Sequence, residues 1–200
     1  ALTCAPEEVT IQACKNADCS ELYTDPVTVT LSPGGWVDGD TISFTGGTTT
    51  AELRHTTPGT VTLGATGVSP SADNPTRCFI GGTEGCQMTF HEAGFIFDVP
   101  TQTSCKPSTD ISIQAVKQSD SGVNCAPAFT GDRTVNFWSG YGDPATGTEP
   151  VYVNGNNDSS KAVAGSSPGT AVELTFDASA TATFTVDYDD AGQMMLNARY

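Results

Sequence analysis

The stretch VTIQACKNADCS, residues 9–20, joins an alternating strand pattern to two cysteines, and it recurs in altered form as ISIQAVKQSDSGVNCA, residues 111–126. The segments VTIQA and ISIQA align directly, and Cys19 falls on Cys125 after a longer loop in the second copy. The alignment then continues in one register, with TVTL in the first half matching TVNF in the second. Such a recurrence predicts that the chain contains two copies of one β unit.

The two halves also end alike, because TFHEAGFIFDV at residues 89–99 resembles DYDDAGQMMLNA at residues 187–198. In each case a polar strand end is followed by Ala-Gly and a terminal strand. Pro100 and the polar run after it mark the junction. The predicted domains are therefore residues 1–100 and residues 101–200.

The composition and spacing of the chain favour an all-β fold. No window of eleven or more residues places apolar side chains at helical spacing, whereas short alternating runs recur between turns such as SPGG, TGG and DPATG. About seven short strands per hundred residues is typical of an immunoglobulin-like sandwich. We therefore predict two tandem immunoglobulin-like β-sandwich domains. The predicted strands lie near residues 8–13, 21–31, 41–45, 48–54, 60–66, 86–91 and 94–99, and near 110–116, 123–129, 133–138, 149–153, 171–176, 181–188 and 192–198.

The charge of the chain limits its partners. A formal net charge of −15 with only eight basic residues argues against nucleic acid, because phosphate binding needs clustered Lys and Arg. It also argues against docking on anionic lipid. No apolar run reaches eighteen residues, so no membrane insertion is expected.

The second copy carries about thirty residues, 139–170, where the first has roughly eight. This extra segment has two possible interpretations. If it is purely structural, it is a loop plus an edge strand at residues 149–153; if it is functional, it is a binding loop displayed by a rigid sandwich. Under the functional interpretation, the candidate binding residues are Tyr141, Tyr152, Asn154, Asn156 and Asp158.

Seven cysteines in a chain of this composition indicate an oxidising compartment. One scheme pairs Cys14 with Cys19, Cys78 with Cys86 and Cys105 with Cys125, which leaves Cys4 unpaired. A competing scheme pairs Cys4 with Cys19 and leaves Cys14 free. An odd cysteine invites intermolecular pairing, whereas the cysteine spacing fits a zinc site poorly.

The sequence offers little for catalysis. No nucleophile elbow, Walker A loop, zinc-protease motif or dinucleotide motif is present, and the two histidines, His55 and His91, lie just before turns. We therefore expect no enzyme activity and no cofactor. Calcium is the one ion for which loop oxygen donors exist, at residues 38–40, 154–158 and 187–190, but none has EF-hand spacing and Asx-rich turns explain all three.

Several runs resemble the large uncharacterised domain of MshQ-like proteins, which are encoded with the mannose-sensitive haemagglutinin (MSHA) type IV pilus of Gram-negative bacteria. They are VTIQACKNADC, GWVDGDTISFTGGTTTAELRHTTPGTVTLG, AGFIFDVP, ISIQAVKQSDSGVNCAPAFTGDRTVNFWSGYGDPATGTEPVYVNG and SSPGTAVELTFDASATATFTVDYDDAGQMMLNARY. The most distinctive part is TVNFWSGYGDPATGT. The resemblance implies an exported, cell-surface or pilus-associated protein, with a lectin-like domain upstream and further β modules downstream, and it assigns no catalytic residue.

Two functions follow as expectations. The first is a non-catalytic module of a bacterial surface adhesin that projects or forms a binding head, with pilus or other surface proteins and surface glycans as partners. The alternative is a structural subunit of a stalk or filament, assembled end to end or by strand addition at residues 8–13 and 94–99.

Overall fold

The computed structural model describes residues 1–103, 106–122 and 124–200, and within these ranges it contains eighteen β-strands and no helix. The described part accordingly has no helix with the length and apolarity needed to span a membrane. The first nine strands are β1 (Glu7–Gln12), β2 (Val27–Ser32), β3 (Thr41–Phe44), β4 (Thr48–Leu53), β5 (Gly59–Thr62), β6 (Gly64–Ser69), β7 (Phe79–Ile80), β8 (Thr83–Glu84) and β9 (Gln87–Phe90). The other nine are β10 (Ala93–Asp98), β11 (Ile111–Gln118), β12 (Cys125–Pro127), β13 (Gly131–Asp143), β14 (Tyr152–Gly155), β15 (Lys161–Ala162), β16 (Thr170–Phe176), β17 (Thr181–Asp187) and β18 (Gln193–Arg199).

The chain forms two compact units that are not simple halves. Unit 1 comprises residues 1–93 and 118–125, and unit 2 comprises residues 94–117 and 126–200. The sequence assigns the strand at 94–99 to the first domain, but β10 pairs with β11 in a sheet of unit 2. The physical reason is packing, because Phe95 and Phe97 of β10 lie against the core of unit 2.

The two units share one strand-pairing pattern, which explains the sequence repeat. In unit 1, β1 pairs with β4, and β2 lies between β3 and β6. In unit 2, β11 pairs with β17, and β13 lies between β16 and β18. The strands of each set follow in the same chain order, so the aligned segments of the sequence occupy equivalent positions. The pattern also corrects one equivalence: the counterpart of β18 in this pattern is β6, and not the strand at residues 94–99.

Unit 2 is an immunoglobulin-like sandwich built from two sheets. One sheet has the order β10-β11-β17-β14-β15, with β12 paired to β11, and the other has the order β16-β13-β18. Inward residues of both sheets form one large apolar core. Its fully buried members include Ile113, Phe137, Val153 and Leu174. Buried and exposed residues alternate along β16, which explains why the sequence pattern predicted a strand there.

Unit 1 has a much smaller core, and it holds the disulfides formed by the described cysteines. Its buried cluster consists of Val29, Leu31, Trp36, Leu53 and Phe90. Three disulfides join Cys4 to Cys125, Cys14 to Cys19 and Cys78 to Cys86, and all six cysteines belong to this unit. Cross-links of this kind compensate for a limited hydrophobic core in small extracellular domains.

The disulfides follow the first sequence scheme at two places and correct it at the third. The bridges Cys14–Cys19 and Cys78–Cys86 are present as that scheme has them. Cys125 pairs with Cys4, so the expected Cys105–Cys125 bridge and the expected free Cys4 are both wrong. The competing Cys4–Cys19 pairing is wrong too. The physical reason is that residues 118–125 fold with unit 1, where Cys4 lies, and Cys105 itself falls outside the described residues.

The region 139–170 contributes strands to both sheets of unit 2, which corrects its interpretation as an inserted loop with an edge strand at residues 149–153. Its first five residues complete β13, and β14 lies between β17 and β15. Val151, Val153 and Val163 from this region belong to the core of unit 2. Shortening it would therefore remove core residues as well as surface.

Two other strands differ from the sequence expectation. The strand expected at 21–31 begins only at Val27, and Leu22 forms just an isolated bridge to Cys14. Pro26 has no N–H group to donate to a neighbouring strand, which explains why β2 begins only after it. The strand expected at 60–66 is two strands, because β5 pairs with β9 and β6 pairs with β2.

Candidate functional site

The outer face of β14 and β17 carries two of the predicted binding residues, the exposed Tyr152 and the half-buried Asn154. Tyr152 and Asn154 project from the same face of β14, because side chains alternate along a strand and Val153 between them is fully buried. Tyr152 lies opposite Asp187 of β17, and Asn154 lies opposite Thr185. We call these four residues the Tyr152 patch.

The chemistry of the Tyr152 patch suits a polar ligand with an apolar side. Tyr152 is 38% exposed. The amide of Asn154 donates a hydrogen bond to the hydroxyl of Thr185 over 3.2 Å, which fixes its orientation. A tyrosine ring provides apolar contact area and a hydroxyl at low entropic cost, while amide and carboxylate groups beside it supply directional hydrogen bonds. The patch contains no nucleophile paired with a base.

Asn156 and Asp158 lie elsewhere, against the edge of β16. The side chain of Asn156 exchanges two hydrogen bonds with the backbone of Thr175. Asp158 accepts a hydrogen bond from the backbone N–H of Glu173 and is paired with Lys161. The predicted binding role of these two residues stays a prediction, but their polar groups are engaged within the fold.

Tyr141 occupies a third location, under the segment that follows β13. Its hydroxyl donates to the carbonyl oxygen of Glu149 over 2.6 Å, and its ring centroid lies 6.4 Å from that of Tyr188. Gly147 lies directly against the ring, since a Cβ there would be 2.5 Å from Cε1 of Tyr141. These contacts indicate that Tyr141 anchors the 141–149 segment. The five predicted residues are thus spread over three places.

The loop that Cys78 and Cys86 were predicted to close is a surface hairpin of β7 and β8, two strands that the sequence prediction did not include. Cys78 and Cys86 close it, and Gly81 and Gly82 form its tip with φ angles of 57° and 80°. Phe79 is 59% exposed. The signal was available in FIGGTEG, where a Gly-Gly pair between β-forming residues is typical of a two-residue hairpin.

Arg77 orders the base of this hairpin. Its guanidinium forms two 2.9 Å hydrogen bonds to the carboxylate of Glu84 and a third to the carbonyl oxygen of Ala17. It also lies over the ring of Phe79, with its carbon 5.2 Å from the ring centroid. The hydrogen bond and charge of Arg77 lower the pKa of Glu84 below its usual value.

Most of the pKa shifts among the described residues reflect local hydrogen bonds. The bond from Lys161, followed by that from the amide of Glu173, lowers the pKa of the Asp158 carboxyl. The hydroxyl of Ser179 likewise lowers the pKa of Asp177 in the turn between β16 and β17. Burial raises the pKa of the Tyr188 phenol, with a further contribution from Asp190.

The loops named as calcium candidates contain side chains already in use. Asp40 accepts hydrogen bonds from the amides of Gly35 and Trp36, and Asp158 accepts those described above. Across residues 1–103, 106–122 and 124–200, no three His, Cys, Asp or Glu side chains come together as a metal site would require. The expectation of no cofactor stays a prediction.

Comparisons with known proteins place most of the chain in a family. Residues 75–200 match a family described as a domain of unknown function (DUF6701), first Ig-like domain, and residues 1–71 match the domain of unknown function DUF8613. The boundary between these matches follows β6, the last strand of the repeated pattern in unit 1. Neither the curated proteins nor the solved structures gave a match.

Proposed function

Because the chain belongs to the DUF6701 family, whose first Ig-like domain it contains, we propose that it is a non-catalytic extracellular module of a bacterial surface adhesin linked to a type IV pilus. Three disulfides in an Ig-like protein indicate an extracellular or secreted location. The resemblance to MshQ-like proteins supports the link to a pilus. The partners proposed are pilus or other surface proteins and surface glycans, with no nucleic acid and no membrane insertion.

The observation that carries the binding role is the Tyr152 patch on a rigid sheet. Binding residues are often displayed on a rigid scaffold, and here the strands themselves position the side chains. Val153 anchors β14 in the core directly beneath the patch, so the ring of Tyr152 and the amide of Asn154 keep a fixed spacing. A fixed spacing of an aromatic ring and polar groups suits a sugar ring, which has apolar faces and polar edges.

The test is binding of the intact, oxidised chain to a printed array of bacterial and animal glycans. The chain is expected to bind a restricted set, and Tyr152→Ala is expected to weaken that binding at least tenfold. Met195→Ala, which removes an exposed side chain from the other sheet, serves as the matched control. Binding that survives in Tyr152→Ala, or is lost equally in Met195→Ala, would exclude the patch. No binding by the intact chain would favour the structural role.

The alternative, a structural subunit assembled by strand addition, is favoured by the open edges at the two predicted positions, residues 8–13 and 94–99. Among the described strands, β1 and β10 each have a neighbour on one side only. Open edges can accept a strand from another chain. Proline at Ile11 of β1 or at Ile96 of β10 should abolish such assembly, because proline has no N–H group to donate to a neighbouring strand. Assembly that persists with both prolines would remove this alternative.

A further inference from the structure

Strand β16 is an edge strand of the β16-β13-β18 sheet and is paired on one side with β13. It is seven residues long, and its inward residues Val172, Leu174 and Phe176 are buried in strict alternation with exposed ones. A regular edge of this length exposes a row of backbone N–H and C=O groups that can template pairing with another chain. Such an edge needs protection in a protein that stays monomeric.

The segment after β14 supplies side chains to this edge. The N–H of Thr175 donates to Oδ1 of Asn156 over 2.8 Å, and Nδ2 of Asn156 donates to the carbonyl oxygen of Thr175 over 2.9 Å. This reciprocal pair has the form that two directly opposed residues make in an antiparallel ladder. One asparagine side chain therefore substitutes for one residue of a neighbouring strand.

Two further side chains continue the row. The N–H of Glu173 donates to Oδ2 of Asp158 over 3.1 Å, and Nζ of Lys161 donates to the carbonyl oxygen of Ala171 over 2.9 Å. Asp158 and Lys161 also pair with each other. Alternate residues of a strand direct their backbone groups to the same edge, so positions 171, 173 and 175 are the outward ones. Each of the three is contacted by a side chain from residues 156–161.

Gly155 explains how this segment comes so close to β16. A Cβ at this position would lie 2.5 Å from the carbonyl oxygen of Glu173 and 2.9 Å from a methyl carbon of Val172. Any other residue at the end of β14 would push the chain away from β16. The short segment of residues 155–161 therefore places three polar side chains, those of Asn156, Asp158 and Lys161, along the edge of β16.

We infer that residues 156–161 form a side-chain cap that closes the β16 edge to pairing with a second copy of this chain. Every copy presents the same edge, and antiparallel pairing of two identical strands about a two-fold axis gives a self-complementary interface. Glu173 adds a second obstacle, since the central register would oppose two like charges. The inference is independent of the proposed adhesin role, because it concerns one edge and not the Tyr152 patch.

The first test is amide hydrogen exchange of the intact, oxidised chain. The amides of Glu173 and Thr175 are expected to be protected although no strand is paired with β16 on that side, and Asn156→Ala with Asp158→Ala should speed their exchange by at least about tenfold. The amide of Val172 belongs to the same strand but faces β13, so faster exchange there would report a general destabilisation of β16. Unprotected amides at residues 173 and 175 in the intact chain would overturn the inference.

The second test is solution mass by light scattering. The triple variant Asn156→Ala, Asp158→Ala, Glu173→Thr removes two of the three cap side chains and the like charge, and it is expected to form dimers as concentration rises. The control variant combines Asp177→Ala with Glu173→Thr. It also loses one aspartate and the like charge, but Asp177 accepts hydrogen bonds from the amides of its own turn and does not contact the β16 edge from residues 156–161. A monomeric triple variant, or a control that dimerises equally, would contradict the inference. If the triple variant fails to fold, Asn156→Ala with Glu173→Thr takes its place with the same expected dimer and the same contradicting results.

Discussion

Val153 gives a sharp test of whether the region 139–170 belongs to the core of unit 2. The side chain is fully buried, and β14 holds it between β17 and β15. Replacing it with alanine removes two buried methyl groups, which costs about 1.6 kcal/mol in transfer free energy. The cavity left behind raises the expected loss of unfolding free energy to about 2 to 3 kcal/mol. In a unit of this size that corresponds to a fall in melting temperature of roughly 10 to 20 °C.

The assay is thermal unfolding followed by circular dichroism or calorimetry, with Tyr152→Ala as the matched control. Tyr152 is the preceding residue on the same strand but projects to solvent, so its loss is expected to cost less than about 1 kcal/mol. Equal destabilisation by the two variants, or no effect of Val153→Ala, would refute the placement of β14 inside the sandwich. The 139–170 region would then be a displayed loop after all.

Three further predictions rest on individual contacts. Replacing both Cys4 and Cys125 with serine opens a loop of 121 residues and should cost about 4 to 5 kcal/mol by loop-closure entropy, and an unchanged denaturant midpoint would refute that role of the bridge. The lowered pKa of Asp158, which follows from its bond to Lys161, stabilises the fold above the unfolded pKa, and this contribution is lost as pH falls through the lower folded pKa. Denaturant midpoints of the parent and Asp158→Asn should therefore converge as pH falls toward 2, and a constant gap would refute the linkage. Arg77→Ala should leave the melting temperature almost unchanged, because its ion pair is exposed, but should increase the motion of the hairpin in NMR relaxation; unchanged relaxation would refute its ordering role.

The fold was largely predictable because its signals are local. The alternation in strands such as β16 and β17 depends on neighbouring residues alone, and the internal repeat could be read by aligning the chain with itself. The shared pairing pattern of β1, β2, β11 and β13 with their partners confirms that reading.

What the sequence did not give was the long-range assignment of strands and cysteines. The strand at 94–99 resembles the end of a domain, yet Phe95 and Phe97 pack into the core of the next unit. The Cys4–Cys125 bridge depends on residues 118–125 folding with unit 1, which no local pattern encodes. Disulfide connectivity is a property of tertiary structure, and the predicted Cys105–Cys125 bridge rested instead on the expected position of both cysteines in the second unit.

The candidate site was predicted only in part, for a related reason. An Asn or Asp in a loop can bind a ligand or satisfy nearby backbone, and the sequence does not distinguish the two. Asn156 and Asp158 contact β16 only because Gly155 allows the chain to pass close to it. Tyr152 and Asn154 keep an accessible position because they alternate with a buried valine.

The central claim, that this chain is a display module and not a polymerising subunit, is tested most directly by its solution mass. Light scattering of the purified chain, with and without reductant, should give a monomer of 20.7 kDa in both conditions. Large linear assemblies in either condition would contradict the claim. Assemblies that vanish with reductant would identify intermolecular disulfides as the link, and assemblies that persist would identify strand addition.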